Sequence, residues 1–367
     1  MKIGVLTSSR ADFGIYLPLL KALKEDDFFQ LELIVFGTHL SKFHGYTVQQ
    51  IFDEGFEPKH LIHQMIITDE PISIATSYAV TAMKFAEFWK NNVFDCVFCL
   101  GDRYEMAAAV AAGIPFNVPF AHIHGGETTL GAIDNIYRHS ITLASKIHFV
   151  ATESFVNRVM QLKGLDARCL VTGSLSLDNI KNMQLLDIEA FKSKWGIDLS
   201  LPSVLVTIHP ETVAFEKNRE YVDEVYQALI KITETFQVII TMPNADTLGS
   251  VYREMYSKLK LAAPSMVHLI ENFGTQSYFT CMKYVALLIG NSSSGIIEAA
   301  SFGKYVINLG DRQKGRLTSK NALNIAFDSV EILKHTKIFF GKNFFGLNIY
   351  YNDKPVHKII KYLKSQN

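Results

Sequence analysis

The first segment that could carry chemistry is TSSRADFG at 7–14, which follows an apolar run at the N-terminus. A dinucleotide-binding fold would place G-x-G-x-x-G here, and the absence of that pattern argues against a nicotinamide-dependent dehydrogenase. Arg10 stands beside a predicted helix start, and both a guanidinium and helix-terminal N–H groups bind phosphate. The segment therefore predicts a phosphate contact through Arg10, with a helix cap and a surface arginine as the alternative.

Two further segments offer carboxylates for acid–base chemistry. Asp102 lies in the sequence GDRYE, and Asp134 begins the sequence DNIYRH. Asp102 and Glu105 also have the spacing of a capping box, and Asp134 could cap a helix with Arg138 as its i,i+4 partner. Each aspartate is therefore predicted either to cap a helix or to exchange a proton with a substrate, and Asp102 could do both.

The sequence HIHGGE, which begins at His122, combines two histidines and a carboxylate. His122 and His124 are expected on one face of a strand, and Glu127 follows a Gly125-Gly126 pair that would let the backbone approach a ligand closely. This donor set suits zinc or manganese, but no third strong ligand stands at a diagnostic spacing. The prediction is therefore a pair of acid–base groups near a substrate, and no metal.

The sequence GNSSSGIIE, which begins at Gly290, is a candidate for binding a phosphorylated ligand. Glycine and three serines precede an apolar helix, so N–H groups, hydroxyls and the helix dipole would attract an anion. The G-K-[ST] ending of a P-loop is absent. A carboxylate accepts hydrogen bonds from two ribose hydroxyls, which suits Glu298 one turn into the helix. The alternative is an ordinary helix cap. The candidate binding residues here are Asn291, Ser292, Ser293, Gly295 and Glu298.

Cations and one histidine complete the set of candidates. The loop GDRQKGR at 310–316 carries three cations, including Arg312, and suits a diphosphate unless it is a solvated charge run. In the first half, Arg103 is a further cation predicted to contact phosphate. His209, in the sequence IHPET, stands at a predicted strand end beside a proline turn, where it would face a cleft between the two halves.

Short apolar strands alternate with helical patterns along the chain. This alternation predicts βαβ units and hence an α/β fold of two Rossmann-like, doubly wound domains facing a cleft. Because ligands bind beyond the carboxyl ends of parallel strands, the motifs above fall where a site is expected. A helix from Phe13 to Leu23 contains Pro18, which should perturb its first turns. The expected divisions are an N-terminal domain at 1–174, a C-terminal domain at 175–352, and a helix within 353–367 that could pack back on the N-terminal domain.

The predicted strands can be given by number. They are 2–7, 31–37, 95–100, 119–123, 147–151 and 168–173 in the first half, and 204–209, 236–242, 266–270, 284–289 and 305–309 in the second.

Composition narrows the class of protein. The 367 residues include 36 basic and 36 acidic side chains, and this zero formal charge disfavours a nucleic-acid-binding protein. Four cysteines are too few for a disulfide framework, and Cys96 and Cys99 fall within a predicted buried strand, not in a redox or metal motif. The N-terminus lacks a signal-peptide pattern, and glycines and prolines break the longest apolar stretch, so we expect no membrane contact and a cytoplasmic location.

The motifs occur in the order and spacing of one known family. RADFG, GDR, HIHGGE, ID with RH, HP, GNSSSG with Glu298, and GDRQKGR together resemble the UDP-N-acetylglucosamine 2-epimerases, specifically their hydrolysing branch, from about Lys2 to Asn324. The resemblance implies a glycosyltransferase-B architecture with the nucleotide sugar between two domains. It implies no cofactor, a nucleotide-sugar substrate, and assembly as a homodimer or homotetramer.

The resemblance also implies roles for individual residues. Asp102, Asp134 and His209 match positions that the family uses around the sugar. Family members acting on UDP-N-acetylglucosamine often carry glutamate where His124 stands, and here the acid of that segment is Glu127. The groups implied to bind the nucleotide diphosphate are Ser292, Ser293, Glu298 and Arg312, with Arg10 approaching from the other domain.

The function expected from this resemblance is conversion of UDP-N-acetylglucosamine to N-acetylmannosamine and UDP, by elimination and then addition of water. Asp102 and Asp134 are the expected acid–base pair, supported by Glu127 and His124. A related branch with histidine at position 124 acts on 2,4-diacetamido-2,4,6-trideoxy sugars carried by UDP or GDP, so that reaction is an alternative. The same motifs would also suit a glycosyltransferase of the same fold, a non-hydrolysing epimerase or a catalytically inactive nucleotide-sugar sensor.

Overall fold

The protein divides into two compact units. The structure is a computed structural model, and it describes residues 1–42, 45–64, 66, 70–243 and 248–366. Unit 1 comprises Met1–Glu127, Ile133–Lys181 and Tyr350–Asn367, and unit 2 comprises Thr128–Ala132 and Asn182–Ile349. The main crossing from unit 1 to unit 2 therefore comes after Lys181, one short helix beyond the division expected at position 174.

Unit 1 is built on a parallel sheet. Within the described residues this sheet has seven strands in the order β3-β2-β1-β4-β5-β6-β7, and neighbouring strands pair in parallel. All five residues of the fourth strand are buried, because both faces of a parallel sheet are covered. The strands are β1 (Lys2–Thr7), β2 (Gln30–Phe36), β3 (His60–Ile62), β4 (Cys96–Leu100), β5 (Phe120–Ile123), β6 (Ile147–Val150) and β7 (Arg168–Val171).

Helices cover both faces of this sheet. Alternate residues of β4 point to different apolar clusters: Phe98 packs with the first helix, whereas Val97 and Cys99 pack with the third and fourth. The first helix continues without interruption through Pro18, so the expected perturbation does not break it. The helices are α1 (Arg10–Glu25), α2 (Val48–Asp53), α3 (Pro71–Asn91), α4 (Tyr104–Gly113), α5 (Asp134–Ala144), α6 (Glu153–Lys163) and α7 (Ser176–Asn182).

Unit 2 repeats this plan with a six-stranded parallel sheet among the residues that the structure describes. The strand order is β10-β9-β8-β11-β12-β13. The strands are β8 (Ser203–Thr207), β9 (Gln237–Thr241), β10 (Val267–Ile270), β11 (Leu287–Gly290), β12 (Val306–Leu309) and β13 (Ala322–Ile325). The helices are α8 (Ile188–Trp195), α9 (Asn218–Ile232), α10 (Gly249–Ala262), α11 (Gly274–Tyr284), α12 (Ser293–Ile297) and α13 (Ser329–Phe339).

The last helix, α14 (Pro355–Ser365), belongs to unit 1. Its buried face, formed by Val356, Ile359 and Leu363, joins the apolar cluster around α1. Asn367, at the end of the expected C-terminal division, lies outside the described residues. The segment 339–345, which lies before this helix, carries four phenylalanines; Phe344 is buried, whereas Phe345 is 92% exposed.

The predicted α/β fold of two doubly wound parallel sheets is confirmed, and the strands expected from the sequence are present within a few residues. The edge strands β3 and β13 were not predicted, and the strand expected at 284–289 begins only at Leu287 because Tyr284 ends α11. Cys96 and Cys99 are buried thiols, and burial raises the pKa of each to about 12. Among the described helices, none has the length and apolar character needed to cross a membrane.

Candidate functional site

In each unit some of the predicted site residues follow the two strands between which the strand order reverses, while His124 and Glu127 follow β5 and Arg312 follows β12. In unit 1 the reversal lies between β1 and β4, and in unit 2 it lies between β8 and β11. The segment 7–14 follows β1, Asp102 follows β4, His209 follows β8 and Asn291 follows β11. This topological switch point is where open α/β sheets bind ligands, since the flanking loops diverge there.

The segment after β1 is held by the carboxylate of Asp12. Ser9 caps α1 and forms a capping box with Asp12, which also accepts the N–H groups of Ser8 and Phe13, each at 2.8 Å. The Thr7 hydroxyl donates to the same carboxylate at 3.0 Å. The helix cap allowed by the sequence is therefore formed, and it fixes the backbone from which Arg10, the first residue of α1, projects.

Asp102 forms an ion pair with Arg138 and does not cap α4. The N-cap of α4 is Arg103, which makes no side-chain capping bond, so the capping-box interpretation of Asp102 and Glu105 is wrong. Arg138 Nη2 donates to Asp102 Oδ2, and Nη1 donates to the carbonyl of Glu127 at 3.2 Å. Arg138 is 1% exposed, whereas the Asp102 side chain is 28% exposed. The arginine therefore holds an accessible carboxylate at the end of β4.

Asp134 is the first residue of α5, and the N-cap is Ile133, which forms no side-chain capping bond. The interpretation of Asp134 as a simple cap is therefore wrong. One turn later on α5, Arg138 makes the contacts to Asp102 and Glu127 described above. From the sequence, Arg138 was predicted as an i,i+4 partner of Asp134. Its contact with Asp102 could not be predicted, because the two residues are 36 positions apart.

His124 and Glu127 form a buried hydrogen-bonded pair. His124 Nδ1 lies 2.6 Å from Glu127 Oε1, and its Nε2 lies 3.4 Å from Ser174 Oγ. The Ser174 hydroxyl is in turn 2.9 Å from that of Ser176. A carboxylate accepts, so Nδ1 carries the proton and Nε2 keeps a lone pair when the ring is neutral. Ser174 and Ser176 were not predicted, because they lie 50 residues further along the chain.

His122 has a structural role that the sequence did not predict. β5 ends at Ile123, and His124 has a φ of 65°, so the two histidines do not share a strand face. His122 is fully buried, its Nε2 donates to the Gly101 carbonyl at 2.9 Å, and its Nδ1 lies 3.1 Å from Thr142 Oγ1. Burial lowers its pKa to about 3. The imidazole is therefore neutral and holds the residue that precedes Asp102.

The Gly125-Gly126 pair makes room for protein atoms. A Cβ on Gly125 would lie 2.9 Å from His122 Nδ1. Gly126 has a φ of 77°, and a Cβ there would collide with the Phe155 carbonyl. Both glycines are thus explained by packing between His122 and α6.

Glu105 anchors the neighbouring arginine. Its carboxylate accepts from Arg103 Nε at 2.7 Å, and the side chain is 1% exposed. Burial raises the pKa of this carboxyl group, and Arg103 acts in the opposite direction. In the part of the chain that the structure describes, no cluster of three or more His, Cys, Asp or Glu side chains has the arrangement of a metal site.

In unit 2 the backbone of His209 is held by the side-chain amide of Asn291. The His209 N–H donates to Asn291 Oδ1 at 2.7 Å, and Asn291 Nδ2 donates to the His209 carbonyl at 2.8 Å. Gln313 Nε2 donates to the Asn291 carbonyl at 2.8 Å, which joins the basic loop to the same point. Asn291, predicted as a phosphate ligand, therefore has a clear role in placing His209.

The serine segment begins a short α-helix, as the sequence predicts. Ser292 is the N-cap of α12 and accepts the N–H of Ser294, while Ser293 is exposed. The α-helix has five residues, and Glu298 is its C-cap and directly precedes a 3-10 helix at Ala299–Phe302, so the expected carboxylate stands at the junction of the two helices, about one turn after Ser292. Hydroxyl and N–H groups at this position can still bind an anion, but such a short helix adds little dipole. Gly295 packs closely against Val306.

The basic loop at 310–316 is tied to the segment that follows β8. Arg312 Nη1 donates to the Pro210 carbonyl at 3.0 Å, and Arg316 Nη1 donates to Gln313 Oε1 at 2.7 Å. Lys314 pairs with Asp311 at 3.1 Å in solvent. Two residues were not selected from the sequence although they stand within the motifs noted above. Glu211 accepts the N–H of Asp311, and Gln313, within the loop, donates to the Asn291 carbonyl.

Comparison with known proteins identifies a family. A family model described as UDP-N-acetylglucosamine 2-epimerase matches residues 21–364. The polysialic acid biosynthesis protein P7 of Escherichia coli is 33% identical over 99% of this chain and 93% of that protein. A GDP/UDP-N,N'-diacetylbacillosamine 2-epimerase (hydrolyzing) of Campylobacter jejuni is 33% identical over 90% of this chain and 85% of that protein.

Solved structures agree in fold. The UDP-GlcNAc 2-epimerase from Neisseria meningitidis bound to UDP-GlcNAc superimposes with a TM-score of 0.80 over the whole of both chains, at 17% identity. The enzyme from Methanocaldococcus jannaschii in complex with UDP-GlcNAc and UDP gives a TM-score of 0.79, at 15% identity and again over both whole chains. At these identities the likeness concerns the fold.

Proposed function

Because the chain belongs to the UDP-N-acetylglucosamine 2-epimerase family, we propose that it is a hydrolysing nucleotide-sugar 2-epimerase. Its substrate is UDP-N-acetylglucosamine, and its products are N-acetylmannosamine and UDP. The observation that supports this best is the set of acid–base groups after the adjacent strands β4 and β5. There Asp102 is held by buried Arg138, and His124 is held by buried Glu127.

Elimination explains how such groups invert carbon 2. The hydrogen on carbon 2 of an N-acetylhexosamine is not acidified by a carbonyl group, so its direct removal is slow. When the bond from carbon 1 to the diphosphate breaks and its electron pair leaves with UDP, carbon 1 becomes oxocarbenium-like. That charge acidifies the hydrogen on carbon 2, and a base takes the proton to give a 2-acetamidoglucal. Water then adds its hydroxyl group at carbon 1, and a proton returns to carbon 2 on the opposite face.

The proton-transfer roles belong to unit 1. Asp102 and Asp134 are the proposed acid–base pair, and the ion pair with Arg138 fixes the Asp102 carboxylate. His124 supports them, because Glu127 fixes its Nδ1 proton and directs a basic Nε2 away from the carboxylate. His209, whose backbone is fixed by Asn291, is a further group proposed to lie near the sugar.

The diphosphate is assigned to unit 2. Arg312 stabilises the negative charge that develops on the leaving group, and such stabilisation lowers the barrier to its departure. Ser292 and Ser293 donate hydroxyl hydrogen bonds, and Glu298 accepts from the ribose. Arg10 and Arg103 of unit 1 are proposed as additional cationic contacts to the phosphates.

A UDP-linked 2,4-diacetamido-2,4,6-trideoxyhexose is a second candidate substrate. His124 stands where family members acting on UDP-N-acetylglucosamine often carry glutamate. The relatives named for N,N'-diacetylbacillosamine, from C. jejuni and Legionella pneumophila, are 33% and 32% identical, compared with 28% for the UDP-N-acetylglucosamine 2-epimerase of N. meningitidis. Both sugars keep the 2-acetamido group and the leaving group, so the same elimination applies to either.

Incubation with nucleotide sugar alone tests the proposal. Each candidate substrate is mixed with the protein in the absence of an acceptor, and UDP is measured by ion-exchange chromatography. We expect one of the two to release UDP stoichiometrically with free sugar. A glycosyltransferase would need an acceptor, and a non-hydrolysing epimerase would leave the sugar on UDP. No UDP release from either substrate would contradict the proposal.

A further inference from the structure

Glu211 is a buried carboxylate in unit 2 whose backbone is fixed on both sides. It is 2% exposed and lies four residues after the end of β8. Its N–H donates to Asn218 Oδ1 at 3.0 Å, and Asn218 Nδ2 donates to its carbonyl at 2.9 Å. The Tyr252 hydroxyl donates to the same Asn218 oxygen at 3.1 Å. Helices α9 and α10 therefore hold Glu211 in one place.

The carboxylate of Glu211 reaches the basic loop. It accepts the N–H of Asp311 and also that of Arg312. Gly310 has a φ of 68°, and a Cβ on it would overlap Glu211 Oε1. The carboxylate and the ring of Phe327 together occupy the space in which a side chain at position 310 would stand, and this, with the positive φ, explains why glycine is found there.

Arg312 connects the basic loop to the segment that follows β8 through both its backbone and its side chain. Its backbone N–H is accepted by Glu211, and its Nη1 donates to the carbonyl of Pro210, the residue before Glu211. Both the main chain and the guanidinium of Arg312 are therefore anchored on two consecutive residues. If the Glu211 side chain is removed, the backbone of the loop loses its hydrogen-bond acceptor, and the position of the Arg312 guanidinium is no longer fixed through that backbone.

A charged Glu211 has two energetic costs at this position. Burial raises the pKa of its carboxyl group, and the neighbouring Asp311 acts in the same direction. A carboxylate next to a loop that binds phosphate also opposes the anion electrostatically. The costs of burial and of repelling an anion must be offset by a favourable contact, and the hydrogen bonds from the N–H groups of residues 311 and 312 provide it.

We propose that Glu211 is a positioning residue for Arg312: by accepting the N–H groups of 311 and 312, it sets the guanidinium that binds the nucleotide diphosphate. This inference rests on the proposed function, which assigns the diphosphate to Arg312. Glu211 is 2% exposed, so its effect on UDP affinity is proposed to pass through Arg312.

A double-mutant cycle tests this role with UDP as the probe. UDP affinity is measured by calorimetry for the wild type, Glu211→Ala, Arg312→Ala and the double variant. We expect Glu211→Ala to weaken UDP binding at least tenfold and to have less than a threefold effect in the Arg312→Ala background. Glu211→Gln keeps one acceptor oxygen and is expected to recover part of the affinity. Exposed Glu220→Ala on α9 is the control for removing a carboxylate.

Three results would overturn the inference. The first is wild-type UDP affinity in folded Glu211→Ala, and the second is full additivity of the two single effects. The third is wild-type UDP affinity in Gly310→Ala, a variant in which the new Cβ displaces the Glu211 carboxylate without removing it. This variant keeps the test valid should Glu211→Ala fail to fold. If Arg312→Ala itself left UDP affinity unchanged, the assignment of the diphosphate would fail instead, so the two failures are distinguishable.

Discussion

The Asp102–Arg138 pair joins an accessible carboxylate to a buried guanidinium, so a change at Asp102 acts on both chemistry and stability. We expect Asp102→Asn to lower kcat at least about 100-fold, because a positioned acid or base contributes about that much or more. UDP affinity should stay near the wild-type value. Unfolding should also become easier by roughly 1–3 kcal/mol, less than for a fully buried pair because Asp102 is partly exposed.

Steady-state kinetics, UDP calorimetry and thermal melting measure these three effects. Asp223→Asn, on the exposed face of α9, is the control for converting a carboxylate to an amide. Normal turnover by Asp102→Asn would remove this residue from the proposed acid–base pair.

Glu127 determines which nitrogen of His124 holds the proton. In Glu127→Gln the side-chain amide can present its N–H group to Nδ1 and so favour the opposite tautomer. We expect kcat to fall by about 10²–10⁴-fold, the range seen when a positioned base is lost, with UDP affinity little changed. Turnover within twofold of the wild type would show that the His124–Glu127 pair only supports the fold.

At the scale of elements, three histidines on β5, α5 and β6 make stability depend on pH. Burial lowers the pKa of His122 to about 3 and those of His139 and His148 to about 4. The unfolded-state pKa of histidine is about 6.5. At a pH between the folded-state and unfolded-state pKa values, each of these histidines is neutral in the folded protein and binds a proton when the protein unfolds. Their contribution to stability is complete above about pH 6.5 and is lost as the pH falls.

His148→Leu is expected to reduce this acid sensitivity. Leucine fills a fully buried position without an ionisable group, so the melting temperature should fall less between pH 7 and pH 4.5 than it does in the wild type. His357→Gln, on the exposed surface of α14, is the control for losing an imidazole. An identical loss of melting temperature in His148→Leu and the wild type would contradict this interpretation of β6.

The elements were predictable where burial on both faces makes a strand almost wholly apolar, as in β4 and β11. The edge strand β3 was not, because only three residues pair and one of them is His60. The motifs after the strands were predictable because parallel strands bring their carboxyl ends to one edge. The partners of individual side chains were not, since Glu211 and Asp311 are 100 residues apart and only the folded chain brings them together.

At the scale of the whole molecule, the account assigns proton transfer to unit 1 and the diphosphate to unit 2. With zero formal net charge, long-range steering of an anion is weak, so UDP affinity must depend on local groups. We therefore expect Arg312→Ala to weaken UDP binding by at least about tenfold, as loss of a charge-assisted contact does. Calorimetry with UDP measures this change, and the exposed Lys314→Ala is the control within the same loop. Unchanged UDP affinity would mean that the loop is only a charged surface.

The most direct test of the central claim is proton and phosphorus NMR of the reaction in D₂O without an acceptor. The account predicts free UDP together with a released sugar that is inverted and deuterated at carbon 2, because the proton removed in elimination is replaced from solvent. A released sugar that keeps both its configuration and its original hydrogen at carbon 2 would contradict it.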